Sequence, residues 1–319
     1  MKALGSPDTP IEEVAEGALG RFAATNGRAT TYRPSVGSIV SPIHRGVESA
    51  CFDVDADGKP LFLKVRYPDM AGFFEEALVQ EGARLASELG VGACLVDADE
   101  ANGCYLFERL DETWRWGKVD DFESASVLEN TVRAKRAIHG GEALHLGRSV
   151  FETIEGYQGI IQSEGIKVPK TAAAVLEKVR QSAQAITAAG VTNAPCHGDG
   201  VASNVMICET DAVRLVDFDS AGNHDPYFDL GSLIVEIAQF PDLARSVLEI
   251  YEGECREAQL NRCMLYGIAD DLKWALWGFI SFAKSPRLDV EFVKYAEWRL
   301  LRSLFNAEGP DFGRWIAKL

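Results

Sequence analysis

Three polar residues in the second half of the chain have the types and spacing that phosphoryl transfer to a hydroxyl group requires. Asp199 and Asn204 stand in the pattern H-x-D-x4-N, and Asp217 follows 13 residues after Asn204. In such a reaction one carboxylate orients and deprotonates the acceptor hydroxyl, while an amide oxygen and a second carboxylate hold Mg²⁺. The spacing therefore predicts Asp199 as the base and Asn204 and Asp217 as the metal ligands.

The sequence around these residues predicts the structure that would bring them together. Two short apolar segments flank a polar turn at Glu209–Asp211, which predicts a β-hairpin with Asn204 and Asp217 at its open end. Taken singly, an Asp in a Gly-rich turn is typical of a turn residue, and an Asn of a cap or an Asx-turn. Cys196 beside His197 suggests a nucleophile or a zinc site, but no further Cys/His cluster has the spacing of zinc ligands. The combination of spacings favours phosphoryl transfer.

Two longer segments carry a family resemblance. Residues 197–204 (HGDGVASN) and 215–233 (LVDFDSAGNHDPYFDLGSL) resemble the aminoglycoside phosphotransferase and choline/ethanolamine kinase superfamily. Within it, AGNHDPYFDLGSL is most similar to the choline/ethanolamine kinase branch. The resemblance implies a fold like that of protein kinases, with ATP and Mg²⁺ as cofactors. It also implies the same roles for the base and the two metal ligands.

The resemblance assigns roles to three more residues of these segments. Asp229 matches an aspartate that braces the catalytic loop, and His197 is implied to support the loop structurally. Asp219 stands where many relatives carry Glu. It is implied to be a metal ligand, and its shorter carboxylate would reach a second Mg²⁺ through water.

The N-terminal half contains candidates for nucleotide binding. Lys64, in the apolar segment LFLKV, is expected to face the cleft, neutralise the phosphates of ATP and be held by a carboxylate on a helix. By resemblance that carboxylate is Glu81, with Glu75 and Glu76 as alternatives. The simpler interpretation of Lys64 and Glu81 is that both are solvated charges.

Two backbone segments complete the implied nucleotide site. The loop over the phosphates would be residues 44–49, which contain one glycine and end at Ser49, and which do not have the Walker A pattern. The hinge between the lobes would be the segment FERL, where the backbone from Glu108 to Leu110 would bind adenine. Main-chain hydrogen bonds leave no side-chain pattern, so the hinge rests on the resemblance alone.

The last third of the chain bears on the acceptor. Trp274 and Trp277 are spaced i, i+3 and therefore lie on one helix face, in a segment that resembles the W-x-x-W helix of choline and ethanolamine kinases. Aromatic faces attract quaternary ammonium groups by roughly 0.5–2 kcal/mol per ring. By resemblance Tyr295 would be a third aromatic wall, and Glu236 an acidic neighbour of the ammonium group. The alternatives are core packing for the tryptophans and a solvated charge for Glu236.

Composition limits the classes of partner. The 319 residues include 48 acids and 32 bases, and the net charge of −16 repels nucleic-acid phosphates and anionic lipid. The N-terminus lacks the apolar stretch of a signal peptide, and the apolar runs are too short or too interrupted to cross a bilayer. The seven cysteines include no CxxC pair. We therefore expect a cytoplasmic protein with reduced thiols and a small-molecule substrate, without a nucleic-acid or membrane partner; the oligomeric state is open.

Hydrophobic periodicity divides the chain near residue 110. Residues 1–110 predict a β-rich lobe with one helix at Met70–Leu89, and residues 111–319 predict a mostly helical lobe. This is an α+β pattern with a natural cleft between the lobes. With the resemblance, it predicts a protein-kinase-like fold in which residues 1–110 bind the nucleotide and residues 111–319 carry the catalytic and substrate-binding residues.

These observations together predict an ATP- and Mg²⁺-dependent kinase that phosphorylates the hydroxyl of a small cationic alcohol, choline first and ethanolamine second. An aminoglycoside kinase or another small-molecule kinase would share the catalytic residues but would not need the tryptophan wall. A catalytically silent kinase fold that acts as a binding module is a further alternative. The intact Asp199, Asn204 and Asp217 argue against it.

Overall fold

The computed structural model of the protein describes residues 1–36, 46–238 and 241–319, which form a sheet lobe and a helical lobe. The strands of the sheet lobe are β1 (Lys2–Ala3), β2 (Thr30–Val36), β3 (Ser49–Ala56), β4 (Lys59–Arg66), β5 (Leu95–Asp99) and β6 (Cys104–Glu108). Within the described residues these strands make one antiparallel sheet in the order β1-β2-β3-β4-β6-β5. Helices α1 (Pro10–Leu19) and α2 (Glu76–Glu88) complete the lobe.

The β3–β4 hairpin decides which side chains face the cleft. Asp57 and Gly58 have φ values of 53° and 83°, the pair of positive angles that a two-residue type I′ turn requires. Alternate residues from Leu61 to Val65 are fully buried in the core beneath α1. Because side chains alternate along a strand, Lys64 and Arg66 project from the opposite face.

The helix predicted at Met70–Leu89 is shorter than expected at its beginning. Gly72 has a φ of 85°, which a right-handed helix cannot contain, and α2 begins only at Glu76. Further along α2, a Cβ at Gly82 would lie 2.6 Å from the Cβ of Ala221. The absence of a side chain at Gly82 therefore lets α2 pack closely against the helical lobe.

The helical lobe surrounds one long buried helix. Its helices are α3 (Ala125–His139), α4 (Val150–Glu164), α5 (Thr171–Ala189), α6 (Pro226–Ile237), α7 (Pro241–Glu252), α8 (Glu257–Lys284), α9 (Phe292–Ala307) and α10 (Phe312–Ala317). From Leu265 to Ser281 every residue of α8 is buried, as expected of a helix with neighbours on all sides. Neither α8 nor any other helix of the described residues is long and apolar enough to cross a membrane.

Short strands in the helical lobe position the predicted catalytic residues. They are β7 (Trp114–Trp116), β8 (Ala194–Cys196), β9 (Val205–Cys208), β10 (Val213–Leu215) and β11 (Gly222–His224). Short 3₁₀ helices lie at Pro68–Met70, Glu100–Asn102, Val119–Glu123 and Ala202–Asn204. Strands β9 and β10 form the predicted hairpin, with Val205 opposite Leu215, so Asn204 and Asp217 flank its open end. The α+β, two-lobed fold predicted from the sequence is confirmed.

Candidate active site

Asp199 lies in the loop between β8 and β9. Its Oδ1 accepts a hydrogen bond of 2.7 Å from the backbone N–H of Val201, and its Oδ2 accepts one of 3.1 Å from the side-chain amide of Asn204. Gly198 has a φ of 75°, and a Cβ there would lie 2.1 Å from the carbonyl oxygen of Ser220. The loop is thus tightly packed, and it holds the Asp199 carboxylate in one orientation.

Asp229, at the beginning of α6, is fully buried beneath this loop. Its carboxylate accepts hydrogen bonds from Lys135 Nζ at 2.7 Å and His139 Nε2 at 3.0 Å, and from the backbone N–H groups of His197 at 3.2 Å and Gly198 at 3.0 Å. Burial opposes the charge of this carboxylate, but Lys135 and His139 hold the pKa of Asp229 well below its usual range. Asp229 therefore remains ionised and ties helix α3 to the catalytic loop.

The same contacts bear on the zinc alternative. Ligand atoms of His139, Cys196 and Asp229 lie within 4.8 Å of one another. However, four donors already occupy the Asp229 carboxylate, and one of them is the ammonium group of Lys135. A divalent cation would have to displace these donors beside a fixed positive charge. The cluster is therefore a hydrogen-bonded brace.

His197 joins the catalytic loop to the segment that follows β10. Its Nδ1 lies 3.0 Å from the carbonyl oxygen of Asp199, and its Nε2 lies 2.9 Å from that of Val216. Burial lowers the pKa of His197, so the ring is neutral and donates to one of the two carbonyls. The ring also packs edge-on against Phe218 at 4.7 Å between centroids. The position of His197 is that of a structural support.

Lys64 meets the two aspartates that follow β10. Its Nζ lies 2.5 Å from Asp217 Oδ1 and 2.6 Å from Asp219 Oδ1. Asp217 adopts a φ of 67°, which is uncommon for a residue other than glycine and is typical of functional sites. Burial and the neighbouring Asp219 raise the pKa of Asp217 to about 7. The ammonium group of Lys64 opposes this shift but does not overcome it.

Asp219 is held differently from the water-linked metal ligand that the sequence predicts. It accepts from Lys64 through one oxygen and from Arg66 through the other. Burial would raise the pKa of Asp219, but Arg66 and Lys64 overcome this effect and hold it below its usual range. In this structure Asp219 is the carboxylate that contacts both Lys64 and Arg66.

Arg66 and Glu76 are residues of this site whose pairing the sequence did not reveal. Arg66 Nε donates to Glu76 Oε1 at 2.8 Å, and Nη2 donates to Oε2 at 3.3 Å. The hydroxyl of Tyr105 donates to the same carboxylate at 2.6 Å, and Ser49 Oγ accepts from Arg66 at 3.2 Å. The available signal was the i, i+2 spacing from Lys64, which places Arg66 on the same strand face.

The prediction that Glu81 holds Lys64 is wrong in this structure. Glu81 is half-exposed and accepts 2.8 and 2.9 Å hydrogen bonds from the ring and the backbone of His145. Positions 76 and 81 differ by about 140° around a helix, so Glu76 and Glu81 face different neighbours. Of the two alternatives, Glu76 binds Arg66 instead of Lys64, and Glu75 is exposed.

A cavity of about 330 Å³ lies between the lobes beside these residues. Ser49, Lys64 and Asp217 line one part of it, and the segment from Glu108 to Leu110 lines another. The Glu108 side chain pairs with Lys59 at 3.0 Å at the surface. Residues 44 and 45 of the predicted phosphate loop lie outside the described residues.

The predicted acceptor-binding residues form an aromatic cluster instead of a wall of this cavity. Trp277 is fully buried, and its ring centroid lies 5.4 Å from that of Trp274, 5.7 Å from Phe292, 6.1 Å from Tyr295 and 6.3 Å from Phe73. We call these five residues the aromatic cluster. None of them lines the 330 Å³ cavity. The close packing agrees with the alternative interpretation of the two tryptophans as core residues.

Cations of the protein itself lie beside this cluster. Lys273 Nζ is 4.4 Å from the ring centroid of Trp274, and the guanidinium of Arg299 is 5.2 Å from that of Tyr295. The carboxylate of Glu236 lies 3.4 Å from Arg302 and 4.0 Å from Arg299. The groups expected to attract a substrate ammonium therefore already have positive neighbours.

A family model described as the phosphotransferase enzyme family matches residues 39–265. No curated protein sequence matches the chain.

Solved structures show the same fold. A choline/ethanolamine kinase family protein from Mesorhizobium loti is 23% identical, with a TM-score of 0.78 over 97% of this chain and 98% of that one. The choline kinase LicA from Streptococcus pneumoniae is 16% identical, with a TM-score of 0.74 over 93% and 99%. A spectinomycin phosphotransferase, solved with ADP and spectinomycin, is 13% identical, with a TM-score of 0.58 over 94% and 99%.

Proposed function

The chain belongs to the phosphotransferase enzyme family, and we propose that it transfers the γ-phosphoryl group of ATP to the hydroxyl group of a small alcohol. The observation that carries this proposal is that Lys64, Asn204 and Asp217 line the interlobe cavity, while Asp199 accepts a hydrogen bond from the amide of Asn204. A base, an amide, a carboxylate and an ammonium group are the side chains that phosphoryl transfer uses. The ADP bound to one solved relative supports a nucleotide in the cavity.

Asn204 and Asp217 are the residues that would hold Mg²⁺. An amide oxygen and a carboxylate are suitable ligands for this hard cation. The side-chain nitrogen of Asn204 donates to Asp199, which fixes the orientation of the amide. The raised pKa of Asp217 is consistent with a carboxylate that needs a further positive partner. When bound, the ion would offset the negative charge of the transferring phosphoryl group.

Three further side chains would each have a separate role in the transfer. Asp199, held from both sides by Val201 and Asn204, would orient the acceptor hydroxyl and take its proton. Lys64, which lines the cavity, would bind phosphate oxygens of ATP. Asp219 would keep Lys64 in place, a role that other kinases of this fold type give to a helix carboxylate.

For the acceptor, our first candidate is a small cationic alcohol, choline or ethanolamine. It is supported by the similarity to choline and ethanolamine kinases and by the aromatic cluster, which contains both predicted tryptophans. A second candidate, an uncharged alcohol, is favoured by one observation. Lys273 and Arg299 already occupy positions over the rings of Trp274 and Tyr295, so a further cation there would be repelled.

The test is release of ADP from ATP and Mg²⁺ with a panel of acceptors. The panel contains choline, ethanolamine, their N-methylated intermediates, aminoglycosides, homoserine and simple sugars, and Asp199→Asn is the control variant. Selective turnover with choline that requires Asp199 would support the first candidate. Turnover only with the simple sugars, which are the acceptors on the panel without an ammonium group, would support the second. An enzyme that binds ATP but phosphorylates nothing on the panel would contradict the proposed acceptor classes.

A further inference from the structure

A cluster of side chains joins the two lobes far from the hinge. Arg287, in the connection between α8 and α9, donates from Nη1 to the carbonyl oxygen of Val47 at 2.7 Å and from Nε to Asp69 Oδ2 at 2.8 Å. Ser285 Oγ donates to the same Asp69 oxygen at 2.6 Å. Val47 and Asp69 belong to the sheet lobe, 240 and 218 residues before Arg287 in the sequence. We call Arg287, Ser285 and Asp69 the clasp.

The clasp is a fixed structure and not a loose surface ion pair. The side chains of Arg287 and Asp69 are only 15% and 10% exposed. The guanidinium lies 4.4 Å from the ring centroid of Tyr67 and 5.5 Å from that of Phe292. A planar guanidinium held by rings and by two acceptors has little freedom, so its hydrogen bonds impose geometry on their partners.

One of those partners belongs to the loop that reaches the nucleotide cavity. Val47 itself is fully buried against the aromatic cluster, together with Met70 and Trp277. The next two residues, Glu48 and Ser49, line the cavity near Lys64. A displacement of the Val47 carbonyl would therefore move the backbone that faces the phosphate end of the cavity.

We propose that Arg287 is a positioning residue that fixes the loop of residues 46–49 over the nucleotide phosphates from the acceptor side of the cleft. The inference rests on the proposed function, because it takes the part of the cavity at Lys64 and Asp217 as the phosphate end. It goes beyond that function in coupling two sites. The helices that carry the aromatic cluster would set the position of the phosphate loop through one guanidinium.

The proposal makes a prediction that a purely structural role does not. If Arg287 positions the loop, its loss should weaken binding in proportion to the phosphates that the loop contacts. Arg287→Met should raise the Kd of a non-hydrolysable ATP analogue about tenfold and change the Kd of AMP less than about twofold, within the usual range of coupling energies. A variant that only loosens the lobes would weaken both nucleotides equally.

Two further variants test the proposal even if Arg287→Met does not fold. Arg287→Lys keeps the charge beside Asp69 but cannot reach Asp69 and Val47 with one planar group, so we expect an intermediate effect. Asp69→Asn removes the ion pair and leaves the Val47 hydrogen bond, so we expect a smaller effect than that of Arg287→Met. Arg180→Met is the matched control, since Arg180 forms an exposed ion pair with Glu155 between two helices.

The measurement is titration calorimetry of the full chain with AMP, ADP and the ATP analogue, with Mg²⁺ present. A selective loss of ATP-analogue affinity in the order Arg287→Met, Arg287→Lys, Asp69→Asn supports the proposal. An equal loss for AMP and the ATP analogue, or no loss in Arg287→Met, overturns it. Neither result depends on an acceptor. Failure of the proposed function would show separately, as wild-type protein that binds the nucleotides but has no turnover on the acceptor panel.

Discussion

The proposed nucleotide end and the proposed acceptor end of the cleft are built in opposite ways. At the nucleotide end a cavity of about 330 Å³ is open, and Lys64, Asn204 and Asp217 line it. At the acceptor end the rings pack on one another, and Trp277 has no exposed surface. Charged groups there pair among themselves, as Glu236 does with Arg302. The residues proposed for phosphoryl transfer lie at an open cavity, whereas the aromatic residues expected to select the acceptor are buried in the core.

The two ends also differ in how far apart their residues lie in the sequence. Asp199, Asn204 and Asp217 lie within 19 consecutive residues on one loop and one hairpin. A short segment of this kind brings its own residues together, so the motif can be recognised in the sequence. At the acceptor end, Trp277 packs against Phe73 from the other lobe, and spacing along the chain does not encode such a contact.

The largest effect should come from the open end. We expect Asp199→Asn to lower kcat about 10³-fold, because the acceptor hydroxyl loses the carboxylate that takes its proton. The Kd for ATP should change little, since Asp199 does not line the cavity. Steady-state kinetics and calorimetry on the same samples measure both quantities.

The control for this variant is Asp211→Asn. Asp211 lies in the turn of the same hairpin with a φ of 60°, a conformation that Asn tolerates. Its activity should stay within about twofold of wild type, as for most surface substitutions. If Asp199→Asn retained a tenth or more of wild-type kcat, the assignment of the base would be refuted.

A second effect at the open end concerns the cations of β4. Lys64→Met should lower kcat/KM for ATP about 10²-fold, because phosphate charge loses its partner and Asp217 loses the ammonium group that contacts it. Lys59→Met is the matched control, since Lys59 lies on the same strand and pairs with Glu108 at the surface. Equal kinetics for Lys64→Met and Lys59→Met would mean that Lys64 does not bind phosphate.

The nucleotide end also marks the limit of prediction from the sequence. The type I′ turn, the alternation that turns Lys64 to the cleft and the catalytic hairpin follow from patterns within about 15 residues. The carboxylates that hold Lys64 lie 153 and 155 residues away, and only the folded chain brings them there. The position of each glutamate around α2 also could not be predicted. Because α2 begins at Glu76, the side chain of Glu81 points towards His145 and not towards Lys64.

The acceptor end shows the same limit more strongly. The i, i+3 spacing placed Trp274 and Trp277 on one face of α8 correctly. It carried no information on Lys273, the residue before Trp274, whose ammonium lies over the Trp274 ring and pairs with Asp270 at 2.9 Å. Whether a ring face is free for a ligand depends on contacts from several elements.

A third prediction tests whether the closed end still recognises a cation. If the acceptor is choline, Trp274→Leu should raise its KM about 2- to 30-fold, the range of one cation–π contact. The KM of an uncharged acceptor should change less than about twofold. Trp298→Leu is the control, because Trp298 is 57% exposed on α9. An unchanged choline KM in an active Trp274→Leu variant would remove the ring from the acceptor site.

The smallest expected effect is a pH dependence of stability that comes from a buried histidine near Lys273. His224, on β11, packs against Phe228 at 5.3 Å between ring centroids and is buried. Burial, together with the charge of Lys273, lowers the pKa of His224 to about 4. In the unfolded chain the same ring titrates near pH 6.5, its ordinary value.

The sign of the pH dependence follows directly. As pH falls below about 6.5 the unfolded chain binds a proton at this ring, whereas the folded protein does so only near pH 4. The free energy of unfolding should therefore decrease with falling pH across this window, by about 1 kcal/mol between pH 7 and pH 5.5 from this residue alone. Urea unfolding of wild type and His224→Gln at both pH values measures the difference, because the other titrating groups are shared. A wild type that loses no more stability than His224→Gln would mean that His224 accepts a proton as readily in the folded protein as in the unfolded chain, and that burial and Lys273 do not lower its pKa.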